Sequence, residues 1–343
     1  MKRCLDLANL GIGYVSPNPM VGCIIVHNNK IIGEGYHQKY GEAHAEVNAI
    51  NSVKDKSLLK KSTLYVSLEP CAHYGLTPPC SDLIVKNEIP NVVVGIVDSF
   101  AKVAGKGIEK MEKAGINVQV GVLEKECREI NKRFFTYHEK KRPYIILKWA
   151  ETLDGFIDFD RSFSEYGEPS WITGQKALNH VHKMRAAEDA IMVGTNTALK
   201  DNPSLTVRHC EGKNPIRVVL DNNLRLPNHV KLFDKKVQTI VFNSIKNEEF
   251  KNLEMVKINF DKNIVKQVLK ILYIKKIQSV IIEGGKQLLD TFIDEDMWDE
   301  AYRFIGNKKF KSGINAPVLM KPINKTVKFD SDNLLVYKNN INR

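Results

Sequence analysis

Two runs of alternating strand-like and helix-like patterning, broken by one short charged segment, constrain this chain more than any other feature of its sequence. In the first run, MKRCLDLANLG predicts a helix closed at Gly11, and VGCIIVHNNKIIGEGY predicts a hairpin turning at Asn28-Asn29. AHAEVNAINSV, CSDLIVKNEI and GIEKMEKAG carry helical spacing, with TLYVSLEP, VVVGIVD and INVQVGV as strands among them. Strands separated by helices imply a mostly parallel sheet covered on both faces. The charged run from His138 to Arg142 ends this pattern, and Pro143 bars a helix from continuing. The alternation then restarts, with YIILKWA, DAIMVG, PIRVVLD, QTIVFN and SVIIEGG as strands. QKALNHVHKMRAAE, NIVKQVLKILYIKKI and KQLLDTFIDE are the helices of this second run. A length of 343 residues exceeds what one ordinary core organises. Two α/β domains are expected, residues 1–142 and 143–343.

Composition removes several classes of function. The chain is 43% hydrophobic and 27% charged, the balance of a globular protein, and it holds no apolar stretch of about 18 residues. No membrane association is expected. The N-terminus carries Asp6 and no long apolar run, so it reads as a structural helix and not a signal peptide, and the cytoplasm is the expected location. The formal charge of +11 invites a nucleic-acid reading. The lysines are spread along the chain, however, and no basic run is interleaved with aromatic residues. No nucleic-acid partner is expected, and an anionic small molecule would benefit from the same charge. Assembly into a homo-oligomer is expected.

Of six cysteines, Cys4, Cys23, Cys127 and Cys210 are scattered, and Cys23 lies in the apolar run VGCIIV as a buried thiol. Cys71 and Cys80 lie close together among other ligand types, a pairing that in a reducing compartment binds metal more often than it forms a disulfide. His44 and Glu46 open a helix two residues apart; Cys71 follows a strand and a proline, and Cys80 begins the next helix. One imidazole and two thiolates suit zinc and leave a fourth position for water. Glu46 then serves as the proton carrier instead of a ligand, the pattern of zinc deaminases. A structural zinc closed by His73 is the rival reading, although His73 stands only two residues beyond Cys71.

These motifs resemble the cytidine deaminase-like family, with one departure: eight residues separate the cysteines in CAHYGLTPPC, where most members have two. The long loop, with SPNPMVG upstream, resembles the deaminase half of the bifunctional riboflavin-biosynthesis deaminase–reductases. That resemblance implies a three-layer α/β/α deaminase domain acting on a phosphoribosyl-pyrimidine. It places Asn18, His37 and His73 at substrate contacts; on their own these residues read as a turn former and as surface or capping histidines. Leu76 stands where the family has Lys or Arg for the substrate phosphate, with Lys39 and Lys106 as substitutes.

The second domain lacks G-x-G-x-x-G, so no Rossmann dinucleotide site is supported. Gly284-Gly285, between a strand and a helix, could bring backbone N–H groups to a phosphate or simply serve packing. Arg185 and Arg208 could grip an anion, although a lone arginine on a helix is usually solvated. The segments GEPSWIT, GTNTALKDNPSLTVR and IIEGGKQLL resemble the reductase half of the same family, which implies a dihydrofolate reductase-like α/β domain using NADPH. By that resemblance Ala150, Trp171, Thr197, Asp201, Asn222, Gly285, Lys286 and Gln287 contact the cofactor. Arg185, Leu205, Arg208 and Glu283 contact the substrate, with Arg208 and Glu283 expected to pair. Pro169 and Asp158 depart from the family's Ser and small residue. The competing functions are a nucleic-acid-editing deaminase with an unrelated C-terminal domain, against which the long cysteine loop argues, and a metal-stabilised scaffold, which would not require Glu46.

Overall fold

A computed structural model describes residues 1–74, 78–99, 104–162, 166–167 and 170–339. The chain divides into two compact units, Met1–Lys141 and Arg142–Arg343.

The first unit begins with α1 (Lys2–Asn9), followed by the hairpin β1 (Gly22–His27) and β2 (Lys30–Tyr36). Asn28 and Asn29 both take positive φ, 46° and 59°, as the tight hairpin turn requires. Then come α2 (Ala45–Ser52), β3 (Thr63–Leu68), α3 (Cys80–Lys86), β4 (Asn91–Ile96), α4 (Lys106–Lys113), β5 (Asn117–Val120), α5 (Glu124–Ile130) and α6 (Lys132–Lys140). The sheet order is β2-β1-β3-β4-β5. Only β3, β4 and β5 run parallel; β1 is antiparallel to both of its neighbours, so the expectation of a mostly parallel sheet holds for half of it. Alternate strand residues divide between two layers. Cys23, Ile25, Leu64, Val66, Val92 and Val94 pack against α2, α3 and α4. Ile24 meets α1, and Leu68 and Ile96 meet Phe134 and Phe135 of α6, giving a three-layer arrangement. Gly35 lets α2 lie against β2, since a Cβ there would meet Ala49 N at 2.3 Å.

The second unit starts with β6 (Tyr144–Glu151) and β7 (Phe156–Asp158), then α7 (Gln175–Ala187), β8 (Ala190–Gly194), α8 (Thr195–Asp201) and β9 (Ile216–Leu220). Next are β10 (Thr239–Asn243), β11 (Glu248–Phe250), β12 (Leu253–Lys257), α9 (Ile264–Ile274), β13 (Ser279–Ile282) and α10 (Lys286–Asp294). The last strands are β14 (Glu300–Ile305), β15 (Ile314–Asn315), β16 (Lys325–Phe329) and β17 (Asp332–Lys338). Strands β12 to β14 in the order β12-β10-β9-β8-β13-β6-β14 are parallel, and antiparallel β11 and β17-β16 flank them. Residues of α9 and α10 cover one face through Val268, Leu272, Leu289 and Phe292; Ala198 of α8, Leu226 and Leu232 cover the other. The C-terminal ends of the parallel strands are left open between these layers, the position where such sheets bind ligands.

Candidate active sites

In the first unit three elements deliver one donor atom each. His44 is the N-cap residue of α2, Cys71 follows β3, and Cys80 is the first residue of α3. His44 Nδ1 lies 3.6 Å from Cys71 Sγ and 3.4 Å from Cys80 Sγ. Tetrahedral bonds of about 2.05 Å to nitrogen and 2.3 Å to sulfur would put such atoms ~3.5 Å apart. The donor set and its spacing therefore fit zinc. All three donor atoms lie within 4.8 Å of one another, and His73 is not among the converging groups. The Cys71 turn is fastened to α3: Cys80 N donates to Cys71 Sγ at 3.3 Å, and Ser81 N and Oγ donate to the Cys71 carbonyl. The neighbouring Cys80 thiol, and after it His44, hold the Cys71 thiol well below its ordinary value.

Glu46 is 3% exposed in the first turn of α2. Burial, and then the neighbouring Cys71 thiolate, push its carboxyl up to about 7. A cation seated between the sulfurs would pull it back down. His37, also buried, lies edge-on to His44 with ring centroids 5.4 Å apart. Its Nδ1 is 3.1 Å from the Ala43 carbonyl, so it donates there; Nε2 then accepts from Asn18 Nδ2 at 3.1 Å. Burial lowers the His37 pKa, keeping the ring neutral. The surface or capping reading of His37 is thus corrected. His73 is half-buried on the cysteine loop. Leu76 lies outside the described residues, and Lys39 and Lys106 are both exposed.

Sequence reasoning passed over Glu69. Its buried carboxylate accepts from Asp98 N (3.2 Å) and Gly105 N (2.9 Å) on one oxygen. Gly107 N (2.9 Å) and Ile108 N (3.4 Å) donate to the other. An anion thereby caps the start of α4 and fixes the turn that carries Cys71 two residues later. Gly107 is required there, because a Cβ would meet the Pro70 carbonyl oxygen at 2.0 Å. The only sequence signal is a carboxylate closing an otherwise apolar strand.

In the second unit a cleft of about 1460 Å³ opens at the strand ends. Every residue that the resemblance placed at the cofactor lines it: Ala150 on β6, Trp171, Thr197 and Asp201 on α8, Asn222 after β9, and Gly285, Lys286 and Gln287 where α10 begins. So do Arg185, Leu205, Arg208 and Glu283. The volume exceeds the roughly 300–1,000 Å³ of a single small-ligand pocket, leaving room for a dinucleotide beside a substrate. The Gly284–Gly285 peptide is cis, and a Cβ on Gly285 would come 3.1 Å from Thr197 Oγ1, so this turn is a bare-backbone wall of the cleft.

The pairing expected between Arg208 and Glu283 does not form. Glu283 instead receives Arg185 through Nε (3.0 Å) and a terminal nitrogen (2.7 Å), with Lys148 Nζ at 3.8 Å. Burial alone would raise the Glu283 pKa, but Arg185 and Lys148 outweigh it and hold it at about 2. The bidentate fork wins because Arg185 reaches from the facing helix, while the Arg208 guanidinium donates to Ser204 and Thr206 on its own segment. Arg185 is therefore mostly buried and not solvated. Lys148 was visible as the one cation inside YIILKWA. Asp158 is accounted for by an ion pair with Arg161, which also bonds Asp201 at 2.6 Å, and by Ser170 at 2.8 Å. Pro169 lies outside the described residues.

A His–Cys–Cys centre with a buried carboxylate behind it, and a dinucleotide-sized cleft in a separate unit, define a two-domain enzyme that couples a zinc-dependent deaminase to a reductase. Comparison with known proteins gives the same division. Residues 1–96 match the cytidine and deoxycytidylate deaminase zinc-binding region, and residues 143–335 match the RibD C-terminal domain. The riboflavin biosynthesis protein RibD of Aquifex aeolicus is 41% identical over 92% of this chain and 88% of its own length. That of Actinobacillus pleuropneumoniae is 38% identical over 90% and 83%. A solved structure from Thermotoga maritima, described as a diaminohydroxyphosphoribosylaminopyrimidine deaminase/5-amino-6-(5-phosphoribosylamino)uracil reductase, superposes with a TM-score of 0.89 at 38% identity, covering 98% of this chain and 97% of that one. Acinetobacter baumannii RibD gives 0.87 at 31% identity, with the same coverage of both chains. The chain belongs to the RibD family of bifunctional riboflavin-biosynthesis enzymes.

Proposed function

We propose that the first unit removes the amino group at ring position 2 of 2,5-diamino-6-(5-phosphoribosylamino)pyrimidin-4-one. The second unit then opens and reduces the ribose of the resulting 5-amino-6-(5-phosphoribosylamino)uracil to a ribityl chain. The observation that carries this reading is the convergence of one imidazole nitrogen and two sulfurs beside the buried Glu46 carboxylate. In this scheme His44, Cys71 and Cys80 hold the zinc. When bound, zinc supplies Lewis-acid activation of water near neutral pH. Glu46 carries one water proton to the ring nitrogen as the C–O bond forms and a second to the amine as the C–N bond breaks. Ammonia leaves and a carbonyl remains. Asn18 and neutral His37 hold the pyrimidine edge, and His73 on the cysteine loop is a further substrate contact in this scheme.

In the second unit Ala150, Trp171, Thr197, Asp201, Asn222 and the turn Gly285–Gln287 bind NADPH, which supplies the hydride. Arg185, Leu205, Arg208 and Glu283 receive the substrate. With Glu283 neutralised by Arg185 and Lys148, the exposed Arg208, one of several cations lining the cleft, meets the phosphate. Among the described residues no helix is long and apolar enough to cross a membrane, and the enzyme acts in the cytoplasm in this reading. Exposed Val318, Met320 and Ile323 support self-association, which a monomeric mass by light scattering would reject. The experiment for the whole scheme is to supply the purified protein with the diaminopyrimidine and NADPH. Ammonia release should precede NADPH oxidation. Deamination of RNA, with none of the free nucleotide, would overturn the scheme.

A further inference from the structure

His182 is fully buried, borders the second unit's cleft and has no part in the scheme above. It lies on α7 three residues before Arg185, so the two side chains share a face of the helix. The backbone N–H of Arg208 donates to His182 Nδ1 at 3.0 Å. A ring nitrogen that accepts carries no proton, so the neutral imidazole bears its hydrogen on Nε2. That Nε2 is buried and finds no partner among the described residues. Burial, reinforced by Arg185, Arg208 and His209, pushes the ring down to about 4, and it is neutral near pH 7.

A buried donor without an acceptor costs free energy, and an apolar side chain of similar size would fill this space without that cost. What the imidazole adds is an acceptor for one backbone N–H, that of Arg208. The same segment binds α7 a second time, where Arg185 donates to the Thr206 carbonyl at 3.4 Å. Thr206 Oγ1 in turn accepts from the Arg208 guanidinium at 3.2 Å. Arg185 and Arg208 are thus registered through one short stretch of chain.

We propose that His182 is a positioning residue of the reductase, which by accepting from Arg208 N–H fixes the Arg208 guanidinium beside Arg185 for the phosphate of the substrate. The inference rests on the assignment of Arg208 to that phosphate. Two substitutions separate positioning from mere packing. His182→Asn keeps an acceptor where Nδ1 stood, whereas His182→Gln moves it one bond further, to where Nε2 stood. The measurements are reductase KM and kcat with 5-amino-6-(5-phosphoribosylamino)uracil, the NADPH Kd by fluorescence and the melting temperature of each variant. His182→Gln should raise KM about tenfold, with kcat and NADPH Kd changed by less than about twofold. His182→Asn should return KM to within about threefold of the parent even if both variants melt lower. Equal KM increases in the two variants, or an NADPH Kd that rises with KM, would show a structural role and overturn the inference. Arg208→Ala serves as the control. If it raises KM while His182→Gln does not, the inference alone fails; if it leaves KM unchanged, the phosphate assignment fails with it.

Discussion

Replacing Glu69 by Gln tests how the Cys71 turn is built. The carboxylate accepts four backbone N–H groups, two on each oxygen, at 2.9–3.4 Å and nearly out of contact with solvent. Gln keeps one oxygen and turns an NH₂ toward the other pair, so two donors lose their acceptor whichever way the amide rotates. Each buried orphan costs about 1–3 kcal/mol, so the pair costs about 2–6 kcal/mol. For a domain of this size that corresponds to a fall in Tm of roughly 4–24 °C. Because Glu69 fixes the turn two residues before a donor sulfur, zinc affinity should also fall roughly 10–100-fold, as for other groups that orient metal ligands. Scanning calorimetry gives the first quantity, and competition with a chromophoric chelator gives the second. A Tm within about 2 °C of the parent, with unchanged zinc affinity, would refute the claim that this carboxylate organises the site.

Two further outcomes are expected, one from the structure and one from the sequence. His182 titrates at about 4 in the fold against 6.5 ordinarily, so below pH 6.5 the unfolded chain takes up a proton that the folded one excludes. Stability of the second unit should be whole above that pH and fall as pH drops toward 4. Urea denaturation across this range should show a shallower slope for His182→Gln, and an unchanged slope would contradict the assignment. Leu76→Lys should lower the deaminase KM, since a charge-assisted hydrogen bond contributes about 1.5–3 kcal/mol. No change would mean that another cation already holds the phosphate.

Much of the architecture was legible because strand and helix periods alternate cleanly wherever one face is buried. The hairpin at Asn28-Asn29 is such a place, and the parallel core strands IIL, AIMV and VII, buried on both faces, stand out instead as continuous apolar runs. What escaped had a physical reason. Helices α5 and α6 run through the charged stretch before Pro143 and bury few residues, among them Cys127, Phe134 and Phe135, so their pattern is diluted by surface lysine and glutamate. Strand β16 and the short β11 lie at the sheet edges with mostly polar or half-exposed residues, and carry little apolar alternation. The zinc donors were readable because His44 and Cys80 stand at helix starts and Cys71 follows a strand and a proline, all in compact motifs. Glu69 and His182 were not, because their partners are backbone N–H groups brought from residues 26 to 39 positions away, and a backbone amide leaves no mark in a sequence.

The most direct test of the account is the zinc content and the two activities of Glu46→Gln. Glutamine keeps the shape of the buried side chain and removes the proton carrier. Zinc should remain near one per chain, as expected for a single three-ligand site in which Glu46 takes no part. Ammonia release should fall by at least the roughly 10²–10⁴-fold that general acid–base catalysis supplies. Reduction of already deaminated substrate should proceed near its parental rate. Loss of zinc from the variant, or deamination at an undiminished rate, would contradict the assignment of Glu46 as the group that moves the protons.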